Sequence, residues 1–570
     1  MAMLHRSSRG RRFFLSLLAP AIIACLLPPH GVAQQRAEQQ RPKLVVLIAV
    51  DQMRADYIQR FHGEWHGGLA RLVDHGAWFR NAAYPYSGTE TCPGHATMST
   101  GVFPETHGII GNAWWDRAAS KSVTCTQDAS VRNVGVDATS SPGDSPAKLL
   151  APSFAERLRS AGHGTRVVTL SLKARAAIML AGHQGDLVLW QDEDAGDWRT
   201  SSAYSAALPD FARTFFAGNP ISADSQKVWN LSMPAASYHD DHSTAGENPP
   251  SGWTGNFPHA LASTSLIELN KEQDYVTRWR TSPFADEYLE RLAETTVDSM
   301  KLGKGPATDF LGISFSAPDY VGHAYGPNSR EIEDEYRRLD TTIGKLLDAL
   351  DRSVGTGNYV VALTADHGVA PIPEQKQAPG GAGGRVDSIA LIARIEKTLL
   401  LHLSLARHVA HIVDQSIYFE PGIMDRIRAD PALWSDLRSA ILETPGILDV
   451  FDTEELGQRS GGSAPEKAAA LDEYRGRSGD IVLALKPYWV LAFRGTGHGT
   501  ANDYDQHVPL ILYGASVKPG SYTVAASPAD IAPTLAAICA LPSAKTEGRS
   551  LNEAIQIKLV STNPSSNARP

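Results

Sequence analysis

The run Leu44-Val45-Val46-Leu47-Ile48-Ala49-Val50 constrains the fold most: seven apolar residues without polar alternation, stopping on Asp51. Such a run suits a strand covered on both faces, which is how strands of a parallel sheet sit. Similar apolar stretches at Arg166–Ser171, Phe310–Ser314, Tyr359–Thr364, Asp480–Leu485 and Val508–Leu512 are predicted as further strands. Amphipathic segments alternate with them. The clearest, from about Ser329 to Leu350, places Ile332, Tyr336, Leu339, Ile343, Leu346, Leu347 and Leu350 on one helical stripe, with Asn328 or Ser329 able to cap its start. Ser282-Pro283 opens another helix, reaching to about Met300. The alternation predicts an α/β fold with a central, mostly parallel sheet flanked by helices.

At 570 residues the chain exceeds the usual size of one core, so insertions on a large domain, or a second domain, are expected. Residues 185–280, rich in Trp, Ser, Asn and Pro with weak periodicity, read as a lid-like insertion. Residues 374–478 read as a second insertion that returns to the sheet near Asp480. It begins with Pro379-Gly380-Gly381-Ala382-Gly383-Gly384 and continues with helical patterns at Ile389–Leu401 and Pro421–Leu442. At the N-terminus, Arg6, Arg9, Arg11 and Arg12 precede the apolar stretch Phe13–Leu27, and Gly31-Val32-Ala33 follows. This predicts an export signal over residues 1–33 and a periplasmic or secreted protein. Arg11-Arg12-Phe13-Phe14-Leu15 resembles a twin-arginine motif, and Ile22-Ile23-Ala24-Cys25 a lipoprotein box. No membrane span is expected in the mature chain. The polar tail, residues 558–570, is expected to be disordered. A net charge of −9 gives no global attraction to nucleic acid, and no nucleic-acid partner is predicted. Oligomeric state is not legible. Beyond the signal lie Cys92, Cys125 and Cys539; a Cys92–Cys125 bridge is expected, bracing the loop after Thr91.

Chemistry-bearing residues follow the apolar runs. Asp51, Lys173, Asp319 and Asp366 all come just after predicted strands, and in open α/β sheets sites collect beyond the carboxyl ends of strands. Asp319 and His323 are four apart, so one helical turn sets both on one face. Asp366-His367-Gly368 puts two neighbouring ligands where a strand stops, and His498 lies in the Gly-rich Thr496-Gly497-His498-Gly499. Mixed carboxylate and imidazole donors suit zinc, with manganese or cobalt also compatible. Two such ions can clamp the attacking and leaving oxygens of an in-line displacement. Metal coordination would also activate the hydroxyl of Thr91, in Gly88-Thr89-Glu90-Thr91-Cys92-Pro93-Gly94-His95, without a dedicated base. This is the equipment of a phosphate-ester hydrolase. His95, His107 and His163 read as structural hydrogen-bonding residues.

The chain resembles the alkaline phosphatase superfamily, in its nucleotide pyrophosphatase/phosphodiesterase branch, and most of all the bacterial periplasmic alkaline phosphatases with a threonine nucleophile. The resemblance covers residues 43–551. It is carried by Val50-Asp51-Gln52, Thr89 to His95, Gly108-Ile109-Ile110-Gly111-Asn112-Ala113-Trp114, Lys173-Ala174-Arg175-Ala176-Ala177, Asp319-x-x-Gly322-His323, Thr364-Ala365-Asp366-His367-Gly368 and His498-Gly499. Asp530-Ile531-Ala532-Pro533-Thr534-Leu535 and Gly548-Arg549-Ser550-Leu551 resemble the superfamily's closing helix and loop. The resemblance implies an alkaline-phosphatase-like sandwich and two Zn2+. One ion would be held by Asp319, His323 and His498; the other by Asp51, Asp366 and His367, with the Thr91 oxygen as a further ligand. It also implies a phosphothreonine intermediate on Thr91.

Asn112, Lys173 and Arg175 separate two substrate classes. A monoester presents three free phosphoryl oxygens and nearly two charges; a diester presents two oxygens and one charge. Lys173 and Arg175 would lie on one side if their segment were extended, and Asn112 could donate to a third oxygen. The expectation is a hydrolase of small phosphate monoesters, with a phosphodiesterase or nucleotide pyrophosphatase on the same scaffold as the alternative.

Overall fold

The computed structural model describes residues 38–39, 41–136, 139–140, 142–162, 164–239, 244–262, 271–375, 383–403, 407–456, 462–556 and 559–560. They fall into two units. The unit of the chain ends contains, among described residues, only Glu38 and the short strand Leu559–Val560. The predicted export signal, His163, Pro379–Ala382 and the rest of the expected tail lie outside the described residues.

The unit spanning residues 39–558 is built on an eleven-stranded sheet. Across it the strands run Gly520–Ala526, Ala77–Ala82, Leu510–Gly514, Tyr359–Thr364, Leu44–Val50, Asp309–Phe315, Val167–Ser171, Leu187–Gln191, Trp198–Ser201, Asn133–Val134 and Thr139–Ser140. The five strands from Tyr359–Thr364 to Leu187–Gln191 are all parallel. The pairings that extend this core on either side are antiparallel. The parallel sheet read from sequence is therefore this central core, and the whole sheet is mixed.

Leu44–Val50 lies at the middle of the core, every residue buried. Its side chains divide by the two-residue period of a strand. Leu44, Val46, Ile48 and Val50 join a core that includes Ile332, Tyr336, Leu339 and Ile343 of the helix Arg330–Ser353. Val45, Leu47 and Ala49 face a second core with Ile531, Leu535 and Ile538 of the helix Ile531–Ile538. Helices thus cover both faces, and the strand has no solvated side to call for polar alternation. Ser329 caps the long helix, its Oγ accepting from the Ile332 N–H at 3.2 Å.

Two expectations are corrected. The run Ile481–Leu485 does not return to the central sheet. It joins a separate four-stranded antiparallel sheet with Val409–Val413, Ser416–Phe419 and Ile447–Asp452. Helices Ser388–His402 and Pro431–Leu442 complete that core, so the second insertion continues past residue 478. Burial along Ile481–Leu485 alternates, and its all-apolar composition hides that period. Conversely, Leu187–Gln191 and Trp198–Ser201, inside the segment read as a lid, are strands of the central sheet. No described helix is long and apolar enough to cross a membrane.

Candidate active site

The sheet delivers the site residues from its parallel core. Asp51 follows Leu44–Val50, Lys173 follows Val167–Ser171, Asp366-His367 follow Tyr359–Thr364, and Asp319 lies in the helix Ala317–Tyr325 just after Asp309–Phe315. That helix places His323 one turn beyond Asp319, with its Nε2 3.1 Å from Asp319 Oδ1. His498 arrives from a late loop. The His367 and His498 rings stack 3.6 Å apart, and His498 Nε2 stands 3.9 Å from Asp319 Oδ1.

Two groups of donor atoms result. In each of Asp51/Asp366/His367 and Asp319/His367/His498, one ligand atom per residue lies within 4.8 Å of the others. A metal fits this arrangement. Asp51 Oδ1, Asp366 Oδ2 and His367 Nε2 are buried and have no hydrogen-bond partner, although buried polar atoms normally find one. Each imidazole is oriented through its other nitrogen by a main-chain carbonyl: His367 Nδ1 by Gly368 O at 2.9 Å, His323 Nδ1 by Thr496 O and His498 Nδ1 by Thr89 O, both at 2.8 Å. This is the orientation metal-binding histidines need. Burial, with His367 and His323 nearby, holds His498 well below the ordinary histidine range, so its imidazole is neutral. Burial also opposes ionisation of Asp366, but the His367 and His95 imidazoles outweigh it and lower its pKa. Asp51 is pushed up by burial and by the Asp366 charge, against the pull of Lys173.

Thr91 opens the helix Thr91–Thr100. It is bracketed by the Thr89 carbonyl on His498 and by its own carbonyl on His95 Nδ1 at 2.8 Å. Among the described residues its hydroxyl makes no hydrogen bond, whereas the Thr89 hydroxyl donates to Thr500 O at 3.0 Å. The helix approaches the Asp366 strand end closely. A Cβ on Gly94 would stand 2.2 Å from Asp366 O, so a side chain here would push the helix that Thr91 opens off the sheet. Cys92 and Cys125 are bridged, tying this helix to the segment after Asn112; Cys539 is a buried free thiol.

Asn112 is fixed on three sides. Its Oδ1 accepts from the Cys92 N–H at 2.9 Å, its N–H donates to Glu90 Oε2 at 2.7 Å, and its carbonyl accepts from the Cys125 N–H at 2.9 Å. With Oδ1 engaged, the side-chain amino group makes no hydrogen bond among the described residues, and Asn112 lines a cleft with Tyr320, His323 and His498. His95, read as structural, bonds Ser314 Oγ through Nε2 at 2.9 Å.

Lys173 and Arg175 are not presented as an extended pair. Lys173 has extended backbone, but the helix Ala174–Ala181 begins immediately after it. The Lys173 ammonium is fully buried and donates to Asp51 Oδ2 at 2.6 Å and Asp319 Oδ2 at 2.5 Å. Burial alone would lower its pKa; the two carboxylates reverse that and raise it. Arg175 pairs with Glu193 at 3.3 Å and remains partly exposed.

Sequence reasoning missed Gln52 as a site residue. At φ +66° it turns the chain sharply after Asp51, so that its N–H donates to Asp366 Oδ1 at 3.1 Å and its Nε2 to Asp319 Oδ1 at 2.6 Å. Gln52 thereby ties both carboxylate groups together, and a strained backbone at such a place is typical of sites. Gly322 makes room for it, since a Cβ there would lie 1.8 Å from Gln52 Oε1. The glycine inside Asp319-x-x-Gly322-His323 was the available signal.

His107 braces the loop that carries Asn112. Its Nδ1 accepts from the Ile109 N–H at 3.1 Å, so Nε2 carries the proton and donates to Thr97 Oγ1 at 3.1 Å. Burial, assisted by the Arg477 cation, lowers its pKa to about 3. An unfolded histidine gains its proton near pH 6.5, so this contribution to stability is complete above that value and declines as pH falls from there toward 3. We expect His107→Gln to flatten the decline, removing an acid-dependent loss on the order of a few kcal/mol. Denaturant midpoints of both proteins from pH 7 to 4 check this; parallel curves would contradict it.

Residues 45–508 match the type I phosphodiesterase / nucleotide pyrophosphatase family. The chain is 32% identical over 516 residues to alkaline phosphatase PhoV of Synechococcus elongatus, covering 87% of this chain and 90% of that one. It is 32% identical to alkaline phosphatase PafA of Elizabethkingia meningoseptica, covering 89% and 93%. The crystal structure of wild-type PafA superposes with a TM-score of 0.82 at 30% identity, covering 90% of this chain and 99% of that one. The chain therefore belongs to the type I phosphodiesterase / nucleotide pyrophosphatase family of the alkaline phosphatase superfamily, and it has the alkaline-phosphatase-like fold.

Proposed function

We propose that the chain is an alkaline phosphatase, a metal-dependent hydrolase of small phosphate monoesters that acts through a phosphothreonine on Thr91. One observation carries the reading: the orphaned, buried Asp51 Oδ1, Asp366 Oδ2 and His367 Nε2 gather where the nucleophile's helix meets the sheet. The alkaline phosphatase relatives, similar over nearly the whole chain, support it. Asp319, His323 and His498 would hold one zinc ion; Asp51, Asp366 and His367 the other, with the Thr91 oxygen as a further ligand. Zinc bound there supplies Lewis-acid activation of a hydroxyl and neutralises charge on the phosphoryl oxygens.

The chain's own groups do the rest. Thr91 Oγ gives up its hydroxyl proton and attacks phosphorus, the bond to the leaving oxygen breaks, and that oxygen takes up one proton in exchange to leave as the alcohol. Water then breaks the bond between phosphorus and Thr91 Oγ, releasing phosphate and restoring the hydroxyl. The Asn112 amino group, with its carbonyl already engaged, donates to one phosphoryl oxygen. Lys173 sets a positive charge between Asp51 and Asp319, beside the transferring group. Arg175 can leave its single, partly exposed contact with Glu193 to grip phosphate. Two donors and a neighbouring cation suit a doubly charged group with three free oxygens; a second ester substituent would remove a charge and leave a donor unmatched. The protein would work in the periplasm or outside the cell.

Paired kinetics test the reading. With zinc-loaded protein, kcat/KM for an aryl phosphate should exceed that for the matching bis-aryl phosphate by about a hundredfold or more, the usual scale of rejection when buried donors lose their partners. Chelation should abolish turnover and zinc restore it. Comparable rates on both esters would move the assignment to a phosphodiesterase.

A further inference from the structure

The segment leading into His498 carries a built feature at the mouth of the cleft. Arg385 clamps it from beneath: its Nη1 donates to Ala492 O at 2.6 Å and its Nη2 to Gly495 O at 2.8 Å. Glu374 fixes the same guanidinium through contacts of 2.7 and 2.8 Å. Beyond the clamp, the Gly495 N–H donates to Gly246 O at 2.9 Å and the Thr496 N–H to His323 O at 3.1 Å. Gly495, at φ +60°, passes so near His323 that a Cβ would lie 2.1 Å from its carbonyl oxygen. The segment is thus fastened to the site on both sides of a two-residue tip, Phe493-Arg494. Both tip residues are exposed, Phe493 by 88%.

Arg494 lines the cleft together with Asn248, Pro249 and Pro250. It makes no ion pair or hydrogen bond with any described residue. The other cations near the cleft are engaged: Lys173 with Asp51 and Asp319, Arg175 and Arg280 with Glu193. Carboxylates also line the cleft. Glu90 and Asp414, in contact with each other, belong to the nucleophile's loop and to a hairpin of the insertion. An anionic group on the departing part of a substrate is attracted to Arg494, the exposed cation of the cleft that makes no ion pair among the described residues.

We propose that Arg494 is a leaving-group specificity residue, selecting phosphate monoesters whose alcohol part carries a second anionic group. This rests on the phosphatase reading of the site and names a substrate class for it. The clamp by Arg385 holds the tip in place, and the guanidinium can meet a phosphate or carboxylate with two parallel hydrogen bonds.

The test compares phenyl phosphate, 4-carboxyphenyl phosphate and 4-(phosphonomethyl)phenyl phosphate on wild type, R494K and R494E. Dividing each variant's kcat/KM by the wild-type value cancels intrinsic differences between leaving groups. R494E should lower the ratio for both anionic substrates about tenfold more than for phenyl phosphate, with R494K intermediate, as reversal of a solvent-accessible charge pair implies. If only one anionic substrate responds, it identifies the preferred group as carboxylate or phosphonate. The selectivity of the wild type should shrink as salt rises. An equal loss on all three substrates, or none, overturns the proposal. If zinc-loaded wild type turns over none of them, the phosphatase reading fails. Calorimetric binding of the non-hydrolysable bis-phosphonate analogue to wild type and R494E then decides the Arg494 site, and equal affinities overturn it.

Discussion

Thr91→Ala should lower kcat for monoester hydrolysis by at least about a thousandfold, the scale seen when a covalent nucleophile is removed. Thr91→Ser should keep a substantial part of the activity. No neighbouring hydroxyl can take over: Thr89 is committed to the Thr500 carbonyl and holds His498 through its own carbonyl. The change leaves the fold intact, since Thr91 contributes only main-chain bonds to its surroundings. The direct readout is phosphate on protein quenched in acid after brief exposure to substrate. It should be present in wild type, lie on the peptide containing Thr91, and vanish in the alanine variant. Label persisting in Thr91→Ala would remove this residue from the mechanism.

The largest effect on stability should come from Lys173→Met. Its buried ammonium neutralises Asp51 and Asp319, and removing one partner of a buried charge cluster leaves the rest uncompensated. We expect metal-free protein to lose about 3–5 kcal/mol. Zinc should recover most of that loss, because bound cations would face the same carboxylates. Urea unfolding with chelator and with zinc separates the two conditions. An equal loss in both would mean that Lys173 acts by packing alone. Activity should show a second signature, with turnover of an aryl phosphate falling far more than that of a bis-aryl phosphate; equal losses would count against a phosphoryl-binding role.

Legibility in the sequence followed burial. Leu44–Val50 and Tyr359–Thr364 are covered on both faces, so an unbroken apolar run identified each strand to the residue. The stripe through Ile332 and Leu346 marked its helix for the same reason, since one periodic face packs on one core. Ile481–Leu485 looked like another central strand, but composition does not say which sheet a strand joins, and pairing is decided by partners distant in sequence. Site residues at strand ends were legible because their chemistry interrupts apolar runs. Gln52 was not, because a glutamine is unremarkable until a left-handed backbone turns it toward two carboxylates. The expected symmetry of Lys173 and Arg175 depended on an extended backbone, and the helix beginning at Ala174 removed it.

The hold of Thr496 on His323, and of Thr89 on His498, bears on when the protein can first act during its own synthesis. The site takes residues from Asp51 through His498, and the last of these is oriented by a segment made among the first hundred residues. Until residue 498 is made, a growing chain holds Asp51, Thr91, Asp319 and Asp366 but lacks the His498 imidazole. With the metal-ligand roles proposed above, hydrolytic capacity would therefore appear late and all at once. Phosphate esters in the compartment of synthesis would then be spared while the chain is incomplete.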